Sequence, residues 1–281
     1  MLEIVQLHDL IDKDAVPFKV TDTAKIYRLP NGELLKIGYS KNKERFYEAQ
    51  NHLYDSLKHV EEINSISNVA WPTRVVHDTC FFSGYTMPEI AGIDLDTFAL
   101  DLTDLYEFAE VFIKIENVVK EGHKLNVVFP DLCNGGNIII TPEGNAVFID
   151  FDGIQPEGMS KFFFAKAIGK KTSKMSSKYF DKNLNRFTKE LDVKSVIFLY
   201  FDKVFNIKLG RISPVRSLSK IENAIDRYFA SINLDDPIIK RKVLTLYIDA
   251  KRNEFLGEDM YRLAEANTLE TNGKRRFLLP K

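Results

Sequence analysis

Phe129-Pro130-Asp131-Leu132-Cys133-Asn134-Gly135-Gly136-Asn137 runs directly into Ile138-Ile139-Ile140-Thr141, Pro142-Glu143-Gly144-Asn145 and Ala146-Val147-Phe148-Ile149-Asp150. Two apolar runs flank a cluster of turn-forming residues, the pattern of a β-hairpin. Centring the turn on all four of Pro142, Glu143, Gly144 and Asn145 makes Thr141 face Ala146 and Asn137 face Asp150. Opposed residues on an antiparallel pair have Cβ atoms roughly 4.5–5.5 Å apart. An amide oxygen and a carboxylate then converge at the open end of the hairpin. Hard cations such as Mg²⁺ take such oxygen ligands and complete their shell with water and phosphate. The competing reading is an Asn cap and an Asp turn residue. Asp131 lies six residues before Asn137. Pro130 biases Phe129 toward extended backbone, and Gly135-Gly136 permits a tight return into the hairpin. A carboxylate there can accept a proton near the Asn137–Asp150 pair, or serve simply as an Asx-turn residue.

Upstream, Lys25-Ile26-Tyr27-Arg28-Leu29 and Glu33-Leu34-Leu35-Lys36-Ile37 flank Pro30-Asn31-Gly32, which suits a three-residue loop. Leu29 then lies opposite Glu33, and Ile26 opposite Lys36. Period-two alternation puts Ile26, Leu34 and Lys36 on one face. A lysine among apolar neighbours on a sheet face needs an anion, unless it snorkels at an edge.

The surrounding composition is that of a globular chain. Of 281 residues, 39 are basic and 40 acidic, giving a net charge of −1 and no bulk field favouring nucleic acid or an anionic membrane. No apolar run reaches the roughly 18–20 residues of a membrane-spanning helix. Asp9, Asp12 and Asp14 are out of place in a secretory signal. Two cysteines, Cys80 and Cys133, make neither a disulfide framework nor a zinc site. A reduced, cytoplasmic protein with no membrane and no nucleic-acid partner is the expectation. Histidines 8, 52, 59, 77 and 123 lack ligand spacing and read as structural or surface groups. Trp71-Pro72 reads as a core edge before a strand.

Residues 15–40 read as strands. Residues 41–60 read as a helix with Phe46, Ala49, Leu53 and Leu57 near a 3.6 period, and Val69 to Met87 as strands again. Pro88 and Gly92 interrupt. A helical pattern then follows from Leu95 to Lys120, with Leu105, Phe108, Ala109, Phe112 and Ile115 on one side. Residues 125–155 return to short strands, and the chain is mainly helical from Phe187. Residues 206–281 carry amphipathic signals, such as Ile221, Ala224, Ile225 and Tyr228, and complete the second lobe. The division expected is an N-terminal lobe, 1–87, and a C-terminal lobe, 88–281. The stretch 161–178 holds six lysines and no acid, together with Thr172, Ser173, Ser176 and Ser177. It reads as a solvated loop or as a substrate-facing or modifiable segment.

Taken in order, these residues resemble the protein-kinase-like superfamily, in its bacterial eukaryotic-like kinase and aminoglycoside-phosphotransferase-like forms. The resemblance covers about residues 15–205. Lys36 resembles the strand lysine that holds ATP phosphates. Glu48, or else Glu44, resembles its helix partner. Gly84-Tyr-Thr-Met-Pro-Glu-Ile-Ala-Gly92 is similar to the inter-lobe hinge, with Met87 to Glu89 meeting adenine. Phe129-Pro130-Asp131 through Asn137 resembles the catalytic loop, and Ile149-Asp150-Phe151 the metal-binding segment. Phe187 through Asp192 resembles the start of the helix whose aspartate anchors that loop.

The resemblance implies an α+β bilobal fold: a small antiparallel N-lobe sheet with one helix, and a larger, mainly helical C-lobe. It implies ATP and Mg²⁺ as cofactors. Lys36, Ile26, Leu34, Met87 and Glu89 would bind the nucleotide, Asn137 and Asp150 the metal, and Asp131, Lys36 and Glu48 would form the catalytic set. The reaction implied is γ-phosphoryl transfer to a hydroxyl acceptor, foremost a protein Ser/Thr. The alternatives are a small-molecule phosphotransferase of the aminoglycoside or choline type, a nucleotide-binding pseudokinase-like regulator, and, as a minor case, adenylyl transfer. Several positions depart from the pattern. Val20-Thr-Asp-Thr-Ala-Lys-Ile26 replaces the Gly-rich loop, so Thr21 and Ala24 offer amides to phosphate only partly and Asp22 adds repulsion. Phe129-Pro130 replaces His-Arg or His-Gly, which removes the arginine used by activation-loop control. One residue is inserted between Asp131 and Asn137, Cys133 stands where kinases carry lysine or histidine, and Asp152 replaces the glycine after Phe151.

Overall fold

Alternating apolar and polar residues in the first hundred positions build a twisted sheet, and the 3.6-residue period after Leu95 builds helices that pack beneath it. The structure is a computed structural model. It describes residues 2–21, 24–38, 53–55, 57–101, 105–132, 134–151, 154–155, 180–181 and 186–205. In chain order the elements are β1 (Glu3–Gln6), α1 (Leu7–Leu10), β2 (Lys19–Val20), β3 (Ala24–Arg28), β4 (Glu33–Gly38), α2 (Val60–Ile63), β5 (Arg74–Asp78) and β6 (Phe81–Pro88). They continue with β7 (Ile93–Asp94), α3 (Leu95–Asp101), α4 (Leu105–Lys124), β8 (Ile138–Ile140), β9 (Ala146–Phe148), β10 (Phe180–Asp181), β11 (Arg186–Phe187) and α5 (Lys189–Phe205).

Six strands form the first sheet, in the order β1-β5-β6-β4-β3-β2. The expected all-antiparallel sheet is corrected at one edge, where β1 pairs parallel to β5, Glu3 against Arg74. Parallel neighbours need a long crossover. Here α1 and the residues after it supply the start of it, with Leu7, Leu10, Ile11 and Ala15 packed on Tyr27, Leu29, Leu35 and Val76. The strand expectations for 15–40 and 69–87 are met by β2 to β4 and by β5 and β6. Of the 41–60 helix, only residues near its end lie among those described.

The β3–β4 register is as expected, with Ile26 opposite Lys36. The β8–β9 register is not. Ile140 pairs with Ala146 and Ile138 with Phe148, and the loop closes through Thr141 N–H donating to the Asn145 carbonyl at 2.9 Å. Asn145 belongs to the strand pairing, so the loop is one residue shorter than expected. Asn137 therefore lies opposite Ile149, whose N–H donates to the Asn137 carbonyl at 3.0 Å, and Asp150 follows one residue later.

The single helical pattern expected from Leu95 to Lys120 is two helices, α3 and α4. Phe108, Ala109, Phe112 and Ile115 of α4 are buried as expected and meet Ile197 and Tyr200 of α5 in the main core. That core continues between the lobes, where buried Phe151 packs edge-on against Tyr85 of β6 and against Trp71, with centroids 6.2 and 5.9 Å apart. Among the described residues, no helix is long and apolar enough to cross a membrane.

Candidate functional site

The face of β3 and β4 that carries Ile26, Leu34 and Lys36 looks toward the C-terminal hairpin. Lys36 is held beside Tyr85, its register partner on β6, with Nζ 5.9 Å from the ring centre. Its anion is Asp150: Nζ donates to Oδ1 at 2.5 Å, with the two side chains 13% and 28% exposed. A lysine so desolvated gains from its carboxylate more than an exposed pair would. Residues 114 positions apart in the chain are thus joined across the two lobes.

The loop before β8 makes the second polar cluster. A single 3-10 turn, Gly135–Asn137, follows Asn134. Asn134 N–H donates to the Asp131 carbonyl at 3.1 Å, and Asn137 N–H to the Asn134 carbonyl at 2.9 Å, so the extra residue is absorbed in tight turns. Asn137 Nδ2 donates to Asp131 Oδ2 at 2.9 Å, while its Oδ1 accepts from Asn134 Nδ2 at 3.1 Å. Asp131 and Asn137 are therefore side by side, with the amide oxygen and nitrogen of Asn137 told apart by their partners. Asn134 is a member of the cluster that sequence reasoning did not single out. Its place three residues before Asn137 is the signal that could have found it.

Beneath the loop lies Asp192 of α5, fully buried. Both its oxygens lie 3.0 Å from the Phe129 N–H, which donates to them, and His123 Nε2 is 2.8 Å from Oδ2. Burial pushes the Asp192 carboxyl upward, while the hydrogen bonds from His123 and Phe129 and the His123 charge pull it back. The anchoring role expected of Asp192 is met at the backbone two residues before Asp131.

At the end of β6, Glu89 N–H donates to the Gly32 carbonyl at 3.1 Å, and its carboxylate pairs with Arg28 at 2.8 Å. Bonded and non-bonded pairs alternate on an antiparallel ladder, so Met87, opposite Leu34, also directs its amide groups at β4. Pro88 has no N–H, and its carbonyl is turned the other way. Between β2 and β3, Thr21 N–H donates to the Ala24 carbonyl at 2.8 Å and Ala24 N–H to Thr21 Oγ1 at 2.9 Å, so both N–H groups are taken up within the turn.

The site residues thus fall into two joined pairs, Lys36 with Asp150 and Asp131 with Asn137. Ile26 and Leu34 share the face of Lys36, and Met87 and Glu89 stand at the strand end. Glu48 and Glu44 lie outside the described residues, as do Asp22, Cys133, Asp152, Gly153, 161–178 and 206–281. Asn137 and Asp150 offer the hard oxygen donors that Mg²⁺ takes, two protein ligands being enough where phosphates supply others. The fit is chemical: both groups are oxygen donors, on adjoining backbone segments.

No protein-family model matches the chain, and no curated protein matches it. Among solved structures it is similar to the apo form of the pseudokinase GRMZM2G135359, with 13% identity, a TM-score of 0.54, and 96% of this chain and 98% of that chain covered. At that identity the likeness carries the fold. The chain has a bilobal α+β protein-kinase-like fold.

Proposed function

We propose that the chain binds ATP with Mg²⁺ and transfers the γ-phosphoryl group to a hydroxyl, foremost that of a protein serine or threonine. The observation that carries this reading is the 2.5 Å approach of Lys36 Nζ to Asp150 Oδ1 across the lobes, beside the Asp131–Asn137 pair. A strand lysine, two oxygen donors and a loop carboxylate are together what phosphoryl transfer asks of a protein, since its catalysis is positioning and charge neutralisation.

Lys36 would bind the α- and β-phosphates, exchanging its carboxylate partner for phosphate oxygens. Asp150 and Asn137 would hold Mg²⁺, which supplies neutralisation of the triphosphate charge. Asp131, already accepting from Asn137, would orient the acceptor hydroxyl and take its proton late in the transfer. Ile26 and Leu34 would cover one face of the base. Its edge would meet the strand end at Met87–Glu89, where the Pro88 carbonyl is the group turned away from β4. The protein acceptor is favoured by the helix whose first turn carries Asp192 and by the lysine- and serine-rich 161–178 stretch.

A second reading, nucleotide binding without transfer, is favoured by two observations. The Thr21 and Ala24 N–H groups already donate, to the Ala24 carbonyl and to Thr21 Oγ1, instead of standing open to phosphate, and the Lys36 ammonium sits on the carboxylate that a metal would take. The similar solved structure is itself that of a pseudokinase. Incubation of the full chain with γ-labelled ATP and Mg²⁺, alone and then with peptide and small-molecule acceptor panels, separates the readings. Label on a hydroxyl supports transfer, whereas ATP-dependent thermal stabilisation without label selects the binding module. A parallel α-labelled sample detects adenylyl transfer.

A further inference from the structure

Helix α3 and the end of α5 meet the loop between Asp131 and Asn137. Asp94 caps α3: its Oδ1 accepts the Thr97 N–H at 2.8 Å and its Oδ2 the Thr97 hydroxyl at 3.0 Å. That seats Asp96 in the first turn of α3, where its Oδ1 pairs with Lys203 Nζ from the last turn of α5. The Asp96 side chain is 49% exposed and that of Lys203 17%. An ion pair so open to water adds little to stability. What it supplies is direction, because it fixes where a short carboxylate points.

The carboxylate points at Gly135, the buried first residue of the 3-10 turn that carries Asn137. A Cβ on Gly135 would lie 2.9 Å from Asp96 Cγ and nearer still to Oδ1. Backbone freedom is not what this glycine provides. Among the described residues the glycines with positive φ are Gly32, Gly92 and Gly144, and Gly135 is not one of them. Its missing side chain is the room that Asp96 fills. Helix α5 thereby reaches the loop from both of its ends, at Phe129 through Asp192 and at Gly135 through Lys203 and Asp96.

We propose that Asp96, aimed by Lys203, is a positioning residue that closes the space beside Gly135 and so makes the turn hold Asn137 against Asp131. The consequence for transfer rests on the function proposed above, while the packing of Asp96 on Gly135 does not.

Amide exchange of the full chain reads the turn at the Asn137 N–H, which donates to the Asn134 carbonyl, with the amides of Phe108–Val119 as control. In Asp96→Ala the Asn137 amide exchanges at least about fivefold faster while the control is unchanged, because the opening is local. Asp96→Asn keeps the shape and an oxygen for Lys203, and stays within about twofold of the parent. Gly135→Ala alone speeds the same amide at least about fivefold, yet adds less than about twofold to Asp96→Ala, since the two changes compete for one space and cannot be additive. If Gly135→Ala alone does not fold, the expected result is that it folds when combined with Asp96→Ala. Steady-state transfer adds a second readout, in which Asp96→Ala needs about fivefold or more Mg²⁺ for half its maximal rate, with the KM for ATP at saturating Mg²⁺ within about twofold. Unchanged Asn137 exchange in Asp96→Ala overturns the proposal, as does an Asn variant that exchanges as fast as the Ala variant. So does a Gly135→Ala change as damaging with Asp96→Ala as without it, or an unaltered Mg²⁺ requirement in Asp96→Ala where the parent transfers phosphate. A parent chain that transfers no phosphate overturns the kinase reading alone, because the exchange comparison still decides the role of Asp96.

Discussion

In the β3–β4 hairpin, Pro30-Asn31-Gly32 is closed by Leu29 N–H to the Glu33 carbonyl and Gly32 N–H to the Leu29 carbonyl, at 2.8 and 3.2 Å. In the β8–β9 hairpin, Pro142-Glu143-Gly144 is closed the same way, by Thr141 to Asn145 and Gly144 to Thr141, at 2.9 and 2.8 Å. The glycines have φ of +80° and +73°. Both are three-residue Pro-X-Gly loops whose last residue takes the left-handed conformation. The first hairpin carries Lys36, and the second leads from Asn137 to Asp150. Treating the second as a four-residue loop moves its register by one, and one residue is enough to turn every side chain to the opposite face. Turn chemistry, read consistently between the two, fixes what strand composition alone leaves open.

The largest expected effect distinguishes what the two hairpins supply. Asp150→Ala abolishes phosphoryl transfer, a loss of roughly a thousandfold or more, with the circular dichroism of the parent, because the terminal phosphoryl charge loses its metal. Undiminished turnover in that variant contradicts the assignment of Asp150. Lys36→Met on the first hairpin costs less, about ten- to a hundredfold in kcat/KM, since one charge on the phosphates is lost while the oxygen donors stay. A Lys36 variant more damaged than the Asp150 variant would invert the roles given to the two hairpins.

The turn comparison is tested by Gly32→Ala and Gly144→Ala. Open space surrounds a Cβ at Gly32, and at Gly144 the nearest atom is Lys114 Nζ, at an ordinary contact distance of 3.6 Å. Backbone strain is then the whole cost in both, roughly 1–2 kcal/mol each by urea denaturation. A loss in only one of them would show that the loops are not equivalent.

The smallest effect comes from a clamp on the first hairpin. Burial raises the Glu33 pKa, but hydrogen bonds from Thr73, Asn31 and Arg74, with the Arg74 charge, outweigh it and hold the carboxyl below its usual range. Its contribution to stability is complete above the ordinary glutamate pKa of about 4.3. It is lost as pH falls through the lower folded value. The Tm gap between the parent and Glu33→Gln is expected to be widest near neutrality and to close as the buffer is taken to strong acid. A gap independent of pH removes the clamp.

Much of this architecture was legible because it is local. The Ile26, Leu34 and Lys36 face follows from alternation and one turn, and the α4 stripe follows from helical spacing. Asp192 was legible only through the order of motifs. What escaped depends on distant partners. His123 has no companion at ligand spacing, and the carboxylate that gives it a role is 69 residues away. Strand β1 is four residues long and shows no periodicity that outweighs its neighbours. Its pairing is decided by the open edge of β5. Asn134 looked like one more polar loop residue until the 3-10 turn brought its amide onto Asn137.

That parallel edge strand has a consequence for biosynthesis. Glu3 finds its partner Arg74 roughly seventy residues later in the chain. During translation β1 emerges long before β5 exists, and closing so long a loop is a late and entropically expensive event. The first lobe therefore cannot finish assembling until the β5–β6 hairpin has left the ribosome, and until then an unsatisfied strand is the nascent chain's most exposed risk of pairing with a stranger.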